Sequence, residues 1–132
     1  MGNKKDKARA MLLQVMGKEF VAERDASTND FNRDLRELAE EVTFGNVWAR
    51  PGLEPRIRSM LCIAMLAASA KPNQLRQHVH GALNNGCTVE ELQELALQVA
   101  AYCGFPAAGE LTHIVEKVLG ERGVPYRETG SL

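Results

Sequence analysis

The stretch KPNQLRQHVHGALNNGCTVEELQELALQVAAYC, residues 71–103, decides the fold. Pro72 suits a first helical turn, where its missing N–H leaves no hydrogen bond unmade. Gly86 marks the end of that helix. Thr88-Val89-Glu90-Glu91 reads as a capping box: the Thr88 hydroxyl accepts from the first turn while Glu91 reaches back. Leu92, Leu95, Val99 and Tyr102 or Cys103 then recur at steps of three and four, the spacing of one helical face. Gly104-Phe105-Pro106 closes this helix and opens the next. The two helices between Pro72 and Tyr102 form the tightest supersecondary unit in the sequence.

The same period runs outward in both directions. Leu111, Ile114, Val115, Val118 and Leu119 supply a last helix, and residues 120–132 read as a frayed tail of Gly, Pro and charges. Upstream, Ala8, Met11, Leu12, Val15, Met16 and Phe20 form one stripe. After the N-cap candidates Ser27-Thr28-Asn29-Asp30, a second stripe runs through Phe31, Leu35, Leu38, Ala39 and Val42. Residues 45–52, Gly-Asn-Val-Trp-Ala-Arg-Pro-Gly, read as a loop because Pro51 disfavours a helical Arg50. From about Glu54 a helix resumes that is apolar on nearly every side beyond Arg58, the pattern of a helix covered by neighbours or by another subunit. The expectation is an all-α chain of about six helices, one domain over residues 1–132 with its core at about 31–119.

Composition narrows the function. Sixteen Lys and Arg against seventeen Asp and Glu give a net charge of −1, without the broad basic footprint of a nucleic-acid binder. At 5% aromatic residues, stacking platforms for single strands are also unsupported. The longest apolar run, Met60 to Ala68, falls well short of the roughly 20 residues of a membrane span. The first residues lack the apolar core of a secretory signal. Three scattered cysteines, Cys62, Cys87 and Cys103, fit reduced thiols in the cytoplasm. Cys62 and Cys103 lie in apolar stretches and read as buried and inert, whereas Cys87, beside a cap, reads as more exposed.

No cysteine pair has the C-x-x-C spacing of a redox site. His78 and His80 are two apart, which on a helix turns their rings about 200° from each other, so no metal site is expected. His78 shares a face with Leu75 and Ala82 and is drawn inward. A core histidine is the plain reading; a general acid or base is the sharper one, since a partly buried imidazole titrates near neutrality. Arg50, Arg56 and Arg58 read as a solvated basic face or, more sharply, as a carboxylate clamp. Trp48 reads as a core or interface anchor.

Taken together, Trp48-Ala49-Arg50-Pro51-Gly52-Leu53, Arg58-Ser59, His78-Val79, Asn84-Asn85-Gly86 and Tyr102-Cys103-Gly104-Phe105-Pro106-Ala107-Ala108 form an ordered series. The series, from roughly Asn32 to Leu119, resembles the carboxymuconolactone decarboxylase family, most closely its branch acting on 4-carboxymuconolactone. The resemblance implies a compact orthogonal helical bundle of the kind shared with alkylhydroperoxidase-D-like proteins. The family's thiol peroxidase branch places its two cysteines at the positions of Lys71 and Gln74, and its relay glutamate at Ser59. That activity therefore lacks its nucleophiles here. The decarboxylase branch commonly carries Glu at the position of Gln74 and Arg at that of His80. These departures change polarity and charge beside His78.

The implied reaction is loss of carbon dioxide from a lactone that carries its own electron sink, so no cofactor is implied. The protein must hold the spectator carboxylate, stabilise charge on the lactone oxygen and deliver a proton. On the matched positions, His78 is the proton donor, with Arg58 as its catalytic companion. Arg50, Ser59, Gln74, Trp48 and Tyr102 bind or wall the substrate. The resemblance also implies homo-trimers or homo-hexamers, with the helix around Met60 to Ala68 as the apolar surface in need of cover. Rival readings are a decarboxylase or isomerase of a related lactone or keto acid, a non-catalytic helical assembly protein and, last, a thiol oxidoreductase.

Overall fold

The computed structural model of the chain describes residues 3–126, and no strand occurs among them. They form seven α-helices and one π-helical segment, and the chain divides into two compact units between Arg58 and Ser59.

The first unit opens with α1 (Lys4–Met16) and α2 (Lys18–Ala26). The stripe read as one helix is broken at Gly17, whose φ of 88° and ψ of 157° lie where only glycine is at ease. Next come α3 (Arg33–Ala39) and a π-helix, Glu40–Trp48. The expected loop from residue 45 is therefore helical as far as Trp48, with the wider turn shown by the Ala49 N–H donating to the Phe44 carbonyl at 3.1 Å. Gly45 serves packing and not a turn: a Cβ there would lie 3.1 Å from the Cβ of Ala8. Its absence lets the π segment close on α1, whose Ala8, Leu12, Val15 and Met16 are buried. Arg9 and Arg24 both pair with Glu40, at 3.2 and 3.0 Å, and Arg9 also grips Asp25. The stripe Phe31, Leu35, Leu38 and Val42 has the expected helical spacing but faces outward, with Phe31 98% and Leu35 70% exposed.

The second unit holds most of α4 (Pro55–Ala68), then α5 (Pro72–Asn84), α6 (Val89–Cys103) and α7 (Phe105–Arg122). Although α5 and α6 are joined by a short turn, α7 is the close backbone partner of both. One apolar core takes Ile63 from α4, Leu75 and Val79 from α5, Leu95 from α6, and Leu111 and Val118 from α7. The capping box is present in both halves: Glu91 N–H donates to Thr88 Oγ1 at 3.1 Å, and Thr88 N–H to Glu91 Oε1 at 2.9 Å. α7 continues past Leu119 to Arg122, so the expected tail begins at Gly123; residues 127–132 lie outside the described residues. α4 presents one buried line, Ser59, Ile63 and Ala67, while Leu61 and Met65 are exposed. Among the described residues no helix is long and apolar enough to cross a membrane.

Candidate active site

The residues singled out from the sequence fall in both units. In the first, Trp48 closes the π-helix, buried and stacked on Phe44 with centroids 5.9 Å apart and planes 16° from parallel. Arg50 lies in the following turn with its side chain exposed. Arg58, in the first turn of α4, is half-buried; its Nη2 donates to the Arg50 carbonyl at 3.3 Å. The Arg58 Nε is buried without a hydrogen-bond partner among the described residues. A guanidinium with a donor in reserve is equipped to take an anionic oxygen, because leaving that N–H unmade is unfavourable. The structure thus brings Arg50 and Arg58 together through backbone and side chain.

In the second unit, Ser59 is wholly buried, and its Oγ accepts a hydrogen bond from Asn85 Nδ2 at 2.9 Å. His78 sits mid-way along α5, half-buried, and burial pushes its imidazole below the ordinary value. Desolvation disfavours the charged ring, so near neutrality His78 is uncharged. Gln74, one turn earlier, is exposed, and Tyr102 is 83% exposed at the end of α6.

His80 lies against α7. Its Nδ1 lies 3.3 Å from Nη1 of Arg122, whose Nη2 donates to Asn84 Oδ1 at 3.0 Å; Arg76 pairs with Glu121 beside them. Burial first, then the charges of Arg76 and Arg122, hold His80 below its ordinary value, with Glu121 opposing. The departure at His80 thus falls where α5 meets the charged side chains of α7.

The cysteines exchange places relative to expectation. Cys87 is buried because the turn after Gly86 ties its N–H to the Ala82 carbonyl at 2.9 Å and brings the residue into the core. Cys103, on the last turn of α6, is exposed, and Cys62 is half-buried. Among the described residues no group of three or more His, Cys, Asp and Glu side chains could hold a metal ion. The residue that sequence reasoning overlooked is Asn85, taken only as part of the Asn84-Asn85-Gly86 turn. Ser59, the polar residue that leads into the apolar run of α4, was the available signal, since a buried hydroxyl requires a partner.

Comparison with known proteins bears directly on these positions. The profile of the carboxymuconolactone decarboxylase family matches residues 33–117. A 4-carboxymuconolactone decarboxylase from Acinetobacter baylyi is 37% identical over 111 residues, 84% of this chain and 83% of the relative. A nitrosuccinic acid decarboxylase from Metarhizium robertsii is 35% identical over 107 residues, 81% of this chain and 75% of the relative. Both alignments and the family profile extend over well more than half the sequence. The chain belongs to the carboxymuconolactone decarboxylase family.

Proposed function

We propose that this chain is a cytoplasmic carbon–carbon lyase that decarboxylates 4-carboxymuconolactone to the enol-lactone of 3-oxoadipate, in the protocatechuate branch of aromatic degradation, without a cofactor. The observation that carries the reading is 37% identity across 84% of the chain to a relative bearing that activity in its name. The second relative favours an alternative of the same kind, a nitro-dicarboxylic acid. Both named substrates are dicarboxylates with a built-in electron acceptor, a conjugated lactone carbonyl in one and a nitro group in the other.

The chemistry follows from that shared feature. The ring carboxylate departs as carbon dioxide, and the bonding pair moves through the alkene into the lactone carbonyl, giving a furan-like dienolate. One proton added at the carbon beside the carbonyl yields the enol-lactone. Arg50 and Arg58 hold the spectator carboxylate and stabilise the charge on oxygen, the Arg58 Nε being a donor in reserve. His78 delivers the proton, a role worth roughly 10²–10⁴ in rate. Trp48 and Tyr102 wall the substrate; Gln74 helps orient it, and Ser59, wholly buried, does so only through its bond to Asn85.

Turnover of the two substrates by the purified chain, followed by ultraviolet absorbance, tests this reading. We expect faster turnover of 4-carboxymuconolactone; preference for nitrosuccinate selects the alternative, and turnover of neither overturns both. His78→Gln should lower kcat by about 10²–10⁴. Arg58→Lys should lower kcat/KM about 10- to 150-fold if a two-point charged grip is lost. Unchanged kinetics in either variant removes that residue from the mechanism.

The chain is also read as a homo-trimer or homo-hexamer. Two apolar surfaces support this: Phe31, Leu35, Leu38 and Val42 along one helical line, and Leu61 and Met65 on α4. With a net charge of −1, like copies repel weakly. Sedimentation showing only a 14.5 kDa particle contradicts it.

A further inference from the structure

We infer that Asn85 is a positioning residue for His78: its hydrogen bond to Ser59 sets the register of α5 against α4. The inference rests on the reading above for the use of His78, but its geometry is independent of the substrate.

The need for such a device lies in α4 itself. From Met60 to Leu66 this helix is apolar at every position, so the hydrophobic effect, which has no direction, does not specify which face turns inward. Ile63 and Ala67 share a core with Leu75, Val79 and Ala82 of α5, and such contacts tolerate rotation and sliding by repacking. A buried hydrogen bond has one geometry. Ser59 is the single polar side chain in the buried class among the described residues, and its partner is Asn85 Nδ2 at 2.9 Å. Any other rotation of α4 breaks that bond.

Asn85 is itself held firmly. Its N–H donates to the carbonyls of Gly81 and Ala82 at 3.0 and 3.2 Å. The next two N–H groups return to Leu83 at 3.2 Å and Ala82 at 2.9 Å, and Gly86 takes the φ of +90° that this return requires. The amide thus extends from a backbone with little slack. His78 lies seven residues earlier, two helical turns and about 10 Å along the axis, on nearly the same face of α5. Asn85 therefore acts on His78 through the rigid helix, not by contact with substrate. Arg58 immediately precedes Ser59 on α4, so the tie begins at the residue next to the proposed carboxylate grip.

The test uses the full chain and four variants, Asn85→Ala, Asn85→Asp, Ser59→Ala and the double alanine variant, with His78→Gln to assign the ring signals. The His78 ring resonances are read by NMR without substrate, and kcat and KM are read with it. We expect Asn85→Ala to shift the His78 resonances and lower kcat about tenfold, with KM within about twofold. Asn85→Asp, which accepts the Ser59 hydroxyl proton, should restore most of both. The double variant should be no worse than the more impaired single one. Unmoved His78 resonances in a folded Asn85→Ala, or a loss expressed only in KM or only in melting temperature, overturns the inference. Should Asn85→Ala fail to fold, Ser59→Ala reads the same tie. If wild-type protein turns over neither substrate, the functional reading falls, and the ring resonances alone decide the positioning.

Discussion

Replacing glycine by alanine at two places in the same α6–α7 region should change stability in opposite directions. Gly104 ends α6, its N–H donating to the Ala100 carbonyl at 3.1 Å, and begins α7, its carbonyl accepting from Ala108 N–H at 3.3 Å. Its φ of 95° and ψ of 160° fall in a region essentially reserved for glycine. A Cβ there meets only Pro106 Cδ at 3.7 Å, so the obstacle is conformation and not space. Strain of about 1–3 kcal/mol, less about 0.4–1 kcal/mol from a stiffer unfolded chain, leaves Gly104→Ala about 1–2 kcal/mol less stable. Gly120 lies within α7, and a Cβ there has open space. Gly120→Ala should therefore gain about 0.5–1 kcal/mol from helix propensity. Urea unfolding at one fixed protein concentration, with equal denaturant slopes, measures both. A Gly104→Ala protein as stable as the parent, or two shifts of one sign, refutes the assignment of this turn as a glycine-dependent hinge between helices.

Three further outcomes are expected. Because burial holds His78 below its ordinary value, the unfolded chain binds more protons between the two values, so stability should fall as pH drops from about 6.5 toward the folded value and level beneath it; His78→Gln should lessen that fall in a pH series of unfolding curves, leaving the part due to His80. Thr88→Ala removes one half of the capping box and should cost about 1 kcal/mol in the same urea assay. Phe31→Glu combined with Leu35→Glu alters two exposed positions of the Phe31–Val42 stripe, so it should leave the far-ultraviolet spectrum unchanged while reducing particle mass in sedimentation; an unchanged mass assigns self-association to another surface.

The helices of the second unit were legible because their ends carry chemistry. Pro72, Gly86, the Thr88 box and Gly104 each act within three or four residues, a range a sequence displays directly. The first unit was harder for equally physical reasons. At Gly17 the apolar spacing continues across the break, and only the backbone angle reveals it. The π segment has turn formers, Gly45 and Asn46, whose local preference is overridden by close packing of Gly45 on Ala8. The Phe31–Val42 stripe showed its period but not its orientation, since periodicity fixes a face and says nothing of what covers it. At the candidate site, the burial of Trp48 and the inward pull on His78 were readable from residue type and spacing. The Ser59–Asn85 bond was not, because it joins positions 26 residues apart and the run that follows Ser59 on α4 has no polar pattern of its own.

The depressed imidazole of His78 is compatible with its proposed role as an acid, and even useful for it. Burial by itself favours the uncharged ring. A dicarboxylate brought close to it reverses that balance. A carboxylate about 4 Å away favours the imidazolium and so raises the ring's affinity for a proton. Substrate would therefore load the proton it later consumes, and a ring whose intrinsic affinity for the proton is weakened by burial releases it readily once carbon dioxide has left. The decisive quantity is proton uptake on binding a non-reacting dicarboxylate, read by calorimetry in buffers of different ionisation heat. Uptake in the parent and none in His78→Gln fits this sequence of events. Equal uptake in both places the proton elsewhere and leaves His78 a buried core histidine.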